Sequence, residues 1–263
     1  MLRTRTLLAA STAVLASLVT LTACGPDDTT TKTNPNASGS PSTGTGTATP
    51  TGGANGTPTP HTGAIPPLPA GVWIAAKDIP LDSAVHWAEP ASVANTNGSP
   101  QLAVEQFCKA QITGDTDIRS FPAESAGQAK LGTAGAGQWQ AQQTVIHLTG
   151  TNSIEMQGAN NFSRAMQDAV RNCAKTAGAT DVHEFGDGTV GAGWADSITI
   201  PQADGQTLTL HEYIGVPGGG AVSELALWTV TPKGGKPKVE WGAADPQVVD
   251  ALVKADCNTY KDC

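Results

Sequence analysis

The sequence predicts an α+β domain, an antiparallel sheet flanked by helices, held behind an N-terminal tether. Three observations on the 263-residue chain point to this class. Apolar residues recur at helical spacing in three stretches, β-branched and aromatic residues mark four strands, and Gly-rich turns join consecutive strands as hairpins. A helix followed by consecutive hairpins is the order expected of an α+β fold.

Residues 1–23 have the features of a lipoprotein signal peptide. Two arginines form a basic head, and an uncharged run over 7–23 is too short and too rich in Ser and Thr for a spanning helix. The run ends in "LTAC" at 21–24, the pattern at which signal peptidase II cleaves before a diacylglyceryl cysteine. Cys24 is therefore the expected lipidation site and mature N-terminus, with a third chain such as palmitate on its amine in some bacteria.

The expected location is the outer face of the cytoplasmic membrane, where diacylglycerol on Cys24 holds the protein. Two acyl chains suffice for stable anchoring, because each buried CH₂ contributes about 0.8 kcal/mol. The alternative is an ordinary signal peptide with a chance cysteine. Loss of Arg3 and Arg5 leaves a net charge near −10. Such an acidic surface argues against nucleic acid as a partner and against flat adsorption on anionic lipid.

Residues 24–65 carry the lipidated cysteine and a tether of Thr, Gly, Pro, Ser, Asn and Ala, whose only large apolar residue is Ile65. This composition cannot bury enough surface to offset the entropy of ordering, so we expect a disordered spacer. Its root-mean-square reach is about 35 Å. Residues 66–263 hold all six tryptophans and are long enough for one extracytoplasmic domain with a sizeable core.

Three helices are predicted in this domain. The clearest is "NFSRAMQDAVRNCAK", in which Phe162, Met166 and Cys173 share one face and Asn160 or Asn161 can cap the start. A second begins at "DPQVVDALVKADC", with Asp245 as its N-cap and proline in the first helical position. A weaker helix lies within "SPQLAVEQFCKAQ".

Four strands are predicted at 142–148, 197–201, 207–216 and 223–230. "PGGGA" separates the last two, and the Asp-Gly turn of "TIPQADGQTL" separates the middle two, so both pairs are expected to form hairpins.

The four cysteines left after Cys24 are expected to form two disulfides in an oxidising compartment. Three pairings are open. We favour Cys108–Cys173, which ties an early helix to the central one, together with Cys257–Cys263, which closes "CNTYKDC". No pair has C-x-x-C spacing and no histidine stands at ligand spacing beside them, so a zinc site is not expected.

No motif points to catalysis, and no catalytic residue, metal or cofactor is predicted. His183 and His211 each precede a glutamate, but neither dipeptide continues as H-E-x-x-H. His211 and His147 fit half-exposed sheet positions. There is no G-x-S-x-G or S-x-x-K sequence, and the Gly clusters "GDGTVGAG" and "PGGGA" lack the lysine of a phosphate loop. A groove lined by some tryptophans would suit a lipid, glycan or peptide, whereas each single tryptophan is better explained as core.

The stretches "IAAKDIP", "QQTVIHL", "NFSRAMQDAVRNC" and "LTLHEYIGV…SELALWTV" resemble the PknH-like extracellular sensor domains of actinobacteria. The likeness covers most of 72–230. It implies a helix-flanked antiparallel sheet with two disulfides and a cleft for an external ligand. Cys108 and Cys173 match that pattern, whereas "CNTYKDC" does not. No kinase is present, so a signal would pass to a membrane protein partner.

The sequence therefore favours a non-catalytic, ligand-binding or sensor-like lipoprotein. Two alternatives stay open. A cell-wall hydrolase without a recognisable motif would show a cleft with a close carboxylate pair or a Ser–His pair, and a lipid carrier would need an enclosed cavity.

Overall fold

The computed structural model describes residues 67–96, 98–114, 117–120, 123–148, 153–185 and 192–260. The signal peptide, Cys24, the tether and Cys263 lie outside these ranges, so the predictions made for them are not addressed by the fold. In the part described, no helix is long and apolar enough to cross a membrane.

Seven strands form one antiparallel sheet, which confirms the predicted α+β class. In chain order they are β1 (Asn95–Thr96), β2 (Ala123–Leu131), β3 (Trp139–Leu148), β4 (Asp181–Glu184), β5 (Ala192–Pro201), β6 (Thr207–Val216) and β7 (Ala221–Thr231). Their spatial order is β1-β2-β3-β7-β6-β5-β4, so the predicted hairpins β5–β6 and β6–β7 form a meander that pairs with β3 through β7.

Helices cover both faces of the sheet. They are α1 (Asp82–Val85), α2 (Pro90–Val93), α3 (Ala103–Cys108), α4 (Ser153–Arg171), α5 (Cys173–Ala177) and α6 (Asp245–Thr259). We call the side under α3 and α4 the α4 face and the side under α6 the α6 face. The strands alternate between them: Leu210 and Ile214 pack on the α4 face, whereas Tyr213 packs on the α6 face.

Two predicted N-caps are wrong, although the last helix does begin at Asp245 as predicted. The central helix begins at Ser153, so Asn160 and Asn161 lie inside it and do not cap it. The last helix has Ala244 at its N-cap, and the side chain of Asp245 makes no capping bond. Its carboxylate accepts a 2.5 Å hydrogen bond from the Tyr213 hydroxyl instead, because that group is buried on the sheet and needs a partner.

The segment before β2 is held against the α4 face by several independent bonds. A disulfide joins Cys108 of α3 to Cys173 of α5, the first of the two pairings favoured by the sequence. Arg119 donates to both oxygens of Glu105, at 2.7 and 2.8 Å, and to Asp117 at 2.8 Å. The guanidinium also lies 5.8 Å from the ring centroid of Phe162 on α4. One disulfide is present among the described residues; the predicted Cys257–Cys263 bond includes Cys263 and lies outside them.

The opposite face is packed closely against α6. Gly193 on β5 lies under Val249, and a Cβ at this position would overlap the Val249 Cγ1 methyl group. The N-terminal segment also covers this face. Gln143 of β3 accepts from the Ile74 amide at 3.0 Å and donates to the Val72 carbonyl at 3.2 Å. The buried side chain of Gln143 therefore holds residues 72–74, which follow the predicted tether, against the sheet.

Candidate functional site

Polar side chains cross the α4 face in the middle of an otherwise apolar layer. Asp196 of β5 pairs with Glu212 of β6, and Glu224 of β7 pairs with Thr144 of β3. We call Asp196, Glu212 and Glu224 the carboxyl row. Their exposed fractions are 1 %, 0 % and 1 %, so each carboxyl group is shielded from solvent. Burying an ionised carboxylate is costly, so such a row requires partners or protons.

Glu224 finds hydrogen-bond partners in the backbone of α3. Its Oε1 accepts from the amides of Ala103 at 2.8 Å and Val104 at 3.3 Å. These are donors of the first turn of a short helix and have no partner inside it. Next to them, Gln128 and Gln142 donate to the Gln101 carbonyl at 2.7 and 3.1 Å. The side chains of Glu224, Gln128 and Gln142 thus satisfy the backbone hydrogen-bonding groups of residues 101–104, which have no strand partner.

Glu212 is the protonated member of a carboxyl pair. Burial raises its pKa well above the usual glutamate range, and the charges of Glu224 and Asp196 raise it further. Burial also raises the pKa of Glu224, but the hydrogen bonds from Glu212 and from the Ala103 and Val104 amides oppose that rise. The arrangement is therefore a neutral Glu212 acid that donates to the Glu224 carboxylate, since two adjacent charges would repel each other in the core.

Two further buried acids have raised pKa values. Burial raises the pKa of Asp196 to about 6, and on the α6 face it raises the pKa of Asp256 to about 8, with the Ser223 hydroxyl opposing that rise. Asp256 is fully buried on α6. The Ser223 hydroxyl thus lies beside the Asp256 carboxyl group, so Ser223 does not form the Ser–His pair that a hydrolase would show.

His211 is buried, which corrects the expectation of a half-exposed sheet position. Its ring stacks on Trp241 with centroids 3.5 Å apart, and Trp139 completes the cluster at 5.7 Å from His211 and 5.1 Å from Trp241. Burial lowers the pKa of His211 to about 4, so the ring is neutral at physiological pH. His147 stacks on Tyr260 with centroids 3.9 Å apart. Both rings contribute to packing.

Two surface grooves are open to solvent and contain a tryptophan in their walls. The α6 groove, about 650 Å³, runs between residues 71–78 and α6, with Trp73, Lys77 and Lys254 among its lining residues. An adjoining hollow of about 350 Å³ shares Lys77 and continues along α6 toward Gly242. Acidic residues such as Asp78 and Asp250 accompany the lysines there.

The second opening, which we call the hairpin groove, measures about 490 Å³. It lies between the β2–β3 hairpin (132–138), the end of α1, and residues 238–239. Trp139 forms its floor and is fixed by a 2.8 Å bond from Nε1 to the Val239 carbonyl. The charged or titratable side chains that line it are Lys238 and His86.

The wall of the hairpin groove contains strained backbone. His86 has φ 56° and ψ 67°, and Leu81 at the other end of α1 has φ 67°. Side chains other than glycine rarely adopt this left-handed region, and such residues cluster at functional sites. Trp87 maintains the loop, because its amide donates to Asp82 at 2.9 Å and its Nε1 donates to the Pro80 carbonyl at 2.8 Å.

The sequence analysis did not single out the carboxyl row, although a signal was present. Glu212 falls in phase with Leu208, Leu210 and Ile214 along β6, and Glu224 falls in phase with Val222 and Ala226 along β7. A charged residue at a core position of an alternating strand indicates a buried, partnered group. Of the motifs considered, "GDGTVGAG" lies largely outside the described residues. Within the described ranges, no three His, Cys, Asp or Glu side chains come together as a metal site.

No family model, curated protein or solved structure matches this chain. The function is therefore argued from the geometry of the site and from the sequence.

Proposed function

We propose that the chain is a lipid-anchored extracytoplasmic lipoprotein whose domain, residues 66–263, binds an external ligand without transforming it. One observation carries the proposal: the acids of the carboxyl row are sealed in the core, whereas the hairpin groove, which is open to solvent, is lined by Trp139, Lys238 and His86 without an acidic side chain. Concave sites with an aromatic wall and a few polar groups are typical of ligand binding.

The resemblance to PknH-like sensor domains supports the same proposal. The resemblance implies a helix-flanked antiparallel sheet with two disulfides, and the sheet, its helices and the Cys108–Cys173 bond between α3 and α5 agree with that architecture. A second bridge, Cys257–Cys263, belongs to the proposal as well. The resemblance further implies that a ligand signal would pass to a membrane protein partner.

The carboxyl pair is the one feature that favours a hydrolase, and its burial argues against that role. A glycosidase needs two carboxyls that flank a bound sugar, with an acid that reaches the scissile bond. Glu212 and Glu224 are instead buried in the core, and Glu224 accepts hydrogen bonds from the backbone of α3. A constitutive lipid carrier would need an enclosed cavity, whereas the grooves described here are open to solvent.

The lipid anchor predicts a specific N-terminus. The native chain is expected to begin at Cys24 and to carry the mass of diacylglycerol, and Cys24→Ser is expected to keep residues 1–23 and to lack lipid, because the thiol is the acceptor. Intact mass spectrometry of membrane extracts measures both. Ala23→Gly is the control, since it keeps a small residue before the cleaved bond. A native chain without lipid, cut elsewhere, would contradict the anchor.

Ligand binding predicts a mass that accompanies the folded domain. We would express the chain from Gly25 behind a cleavable secretion signal and record native mass spectra without detergent. The expected result is a ligand that survives gentle ionisation, or is taken up from a cell-envelope extract, and is lost on denaturation. Conversion of the added compound into products by the purified chain would overturn the non-catalytic proposal, and failure to retain any compound would remove the ligand-binding proposal.

A further inference from the structure

The distribution of charge around the hairpin groove indicates the chemistry of its ligand. The whole chain has a net charge of −8, yet residues 232–238, "PKGGKPK", contain three lysines and no acid. We call this segment the basic loop. It connects β7 to α6, and Lys233, Lys236 and Lys238 are all exposed. Three lysines so close together repel one another, and an anion between them relieves that repulsion.

These lysines are not neutralised within the described part of the chain. The ion pairs found there involve Arg119 and Arg171. When the Gln138 amide is oriented to satisfy both its oxygen and its nitrogen, Lys238 Nζ donates to the oxygen at 3.2 Å and the nitrogen donates to the Thr133 carbonyl at 3.0 Å. A neutral amide positions the ammonium group but leaves its charge uncompensated.

The acids nearest in sequence to His86 and Lys238 are not among the residues that line the groove. Asp82 accepts from the Trp87 amide at 2.9 Å, and Glu89 accepts from the Ala76 amide at 3.2 Å. Glu240 follows the basic loop but does not line the groove. The opening therefore presents an ammonium and an imidazole over an indole floor, without a lining carboxylate to repel an anion.

Backbone geometry adds an independent observation. The wall that presents His86 is strained at both ends, at Leu81 and His86, and Trp87 fixes it with two hydrogen bonds. Strain of this kind persists only where the surrounding structure imposes it, and it is typical of ligand clamps. The groove is thus a preformed recess that requires little ordering before a ligand binds.

We propose that the hairpin groove binds a ligand that carries a phosphate ester, with Lys238 as its principal charge contact and Trp139 as its floor. This inference rests on the proposed ligand-binding function and names the chemistry of the ligand. Lysine binds phosphate as a compact point charge, and a doubly charged phosphate can engage more than one of the clustered ammonium groups. A soluble glycerol phosphate and a lipid headgroup both carry this group, and experiment separates the two sources.

The test is an NMR titration of the ¹⁵N-labelled chain from Gly25 with glycerol 3-phosphate, with glycerol as the neutral probe. We expect saturable shifts of the amides at 132–138 and of the Trp139 indole N–H, and no such shifts with glycerol. Lys238→Gln is expected to weaken binding about tenfold, because it removes a charge-assisted hydrogen bond to the phosphate. Lys77→Gln, an exposed lysine of the α6 groove, is the matched control and should bind as the native chain does.

Vesicles distinguish the source of the phosphate. Binding to phosphatidylglycerol vesicles that is lost in Lys238→Gln, without binding of glycerol 3-phosphate, would support the proposal with a lipid headgroup as ligand. The proposal would be overturned if the chain bound neither glycerol 3-phosphate nor phosphatidylglycerol vesicles. It would also be overturned if Lys238→Gln and Lys77→Gln bound equally well. A native-mass ligand that Lys238→Gln retains would refute the phosphate site while leaving the ligand-binding function standing.

Discussion

The folded domain is expected to lose stability as the pH rises from 6.5 to 8. Asp256 has a folded-state pKa of about 8, raised by burial from an ordinary value of 3.8. In this range the folded state holds a proton that the unfolded state has released. Higher pH therefore favours unfolding, by about 1.4 kcal/mol per pH unit for each such group. For Asp256 the loss over this range is about 2 kcal/mol.

Other buried groups set the limits of that range. Glu212, whose pKa is also raised, acts in the same direction. His211 has its pKa lowered to about 4, so it opposes the carboxyls only below pH 6.5, where the unfolded histidine takes up a proton first. Asp196, with a pKa of about 6, acts mainly below that value. From pH 6.5 to 8 the decline therefore depends mainly on Asp256, and Glu212 and Glu224, whose pKa values burial also raises, act in the same direction.

Urea unfolding at several pH values measures this effect. Asp256→Asn and Glu212→Gln mimic the protonated acids and are each expected to flatten the decline and to raise stability at pH 8. Asp204→Asn, at an exposed turn, is the control and should leave the slope unchanged. Stability that is flat or rises with pH in the native chain would contradict the raised pKa values.

The two members of the carboxyl pair should respond differently to the same change. Glu212→Gln keeps a donor toward Glu224. Glu224→Gln places an amide NH₂ where the carboxylate accepted the Glu212 proton, so a buried donor loses its partner, and we expect a cost of about 1–3 kcal/mol. Equal effects of the two substitutions would argue against Glu212 as the proton carrier.

Loss of the Cys108–Cys173 disulfide should produce the second large effect. The bond spans 65 residues, and both cysteines are fully buried. By the chain-entropy relation, its removal in Cys108→Ala/Cys173→Ala should lower the free energy of unfolding by about 4 kcal/mol. Urea unfolding under oxidising conditions measures this loss. Hydrogen exchange of the Ala103 and Val104 amides, which Glu224 binds, should also accelerate because α3 loses its covalent tie.

The proposed bridge at the C-terminus provides the comparison. Cys257→Ala/Cys263→Ala opens a loop of only a few residues and is expected to cost about 2 kcal/mol on the same relation. It should leave the exchange of the α3 amides unchanged. A smaller loss from the Cys108 pair than from the C-terminal pair would contradict the entropic explanation.

Several elements were predictable because their signal is local. The bounds of β6 are those that the sequence predicts, since β-branched and aromatic residues recur through 207–216 and the Gly-rich turn "PGGGA" follows. Other elements depend on packing. β2 has few β-branched residues and was not predicted; it forms because β3 pairs along its length. The first turns of α4, in a stretch poor in apolar residues, were missed too, and Gly158 there lies close to Leu148 and Ile118.

The sequence by itself predicted the α+β class, the helices α4 and α6 and the β5–β6–β7 meander, because these depend on neighbouring residues and on periodicity. Lipidation at Cys24 stays a prediction. Only the tertiary structure decided which polar residues are buried. Glu212 and Glu224 come from different strands, and their shared proton requires the register of β6 against β7 and the cover of α3. The hairpin groove likewise joins residues about 100 positions apart, Trp139 and Val239. Such juxtapositions arise from long-range packing, which no local pattern encodes.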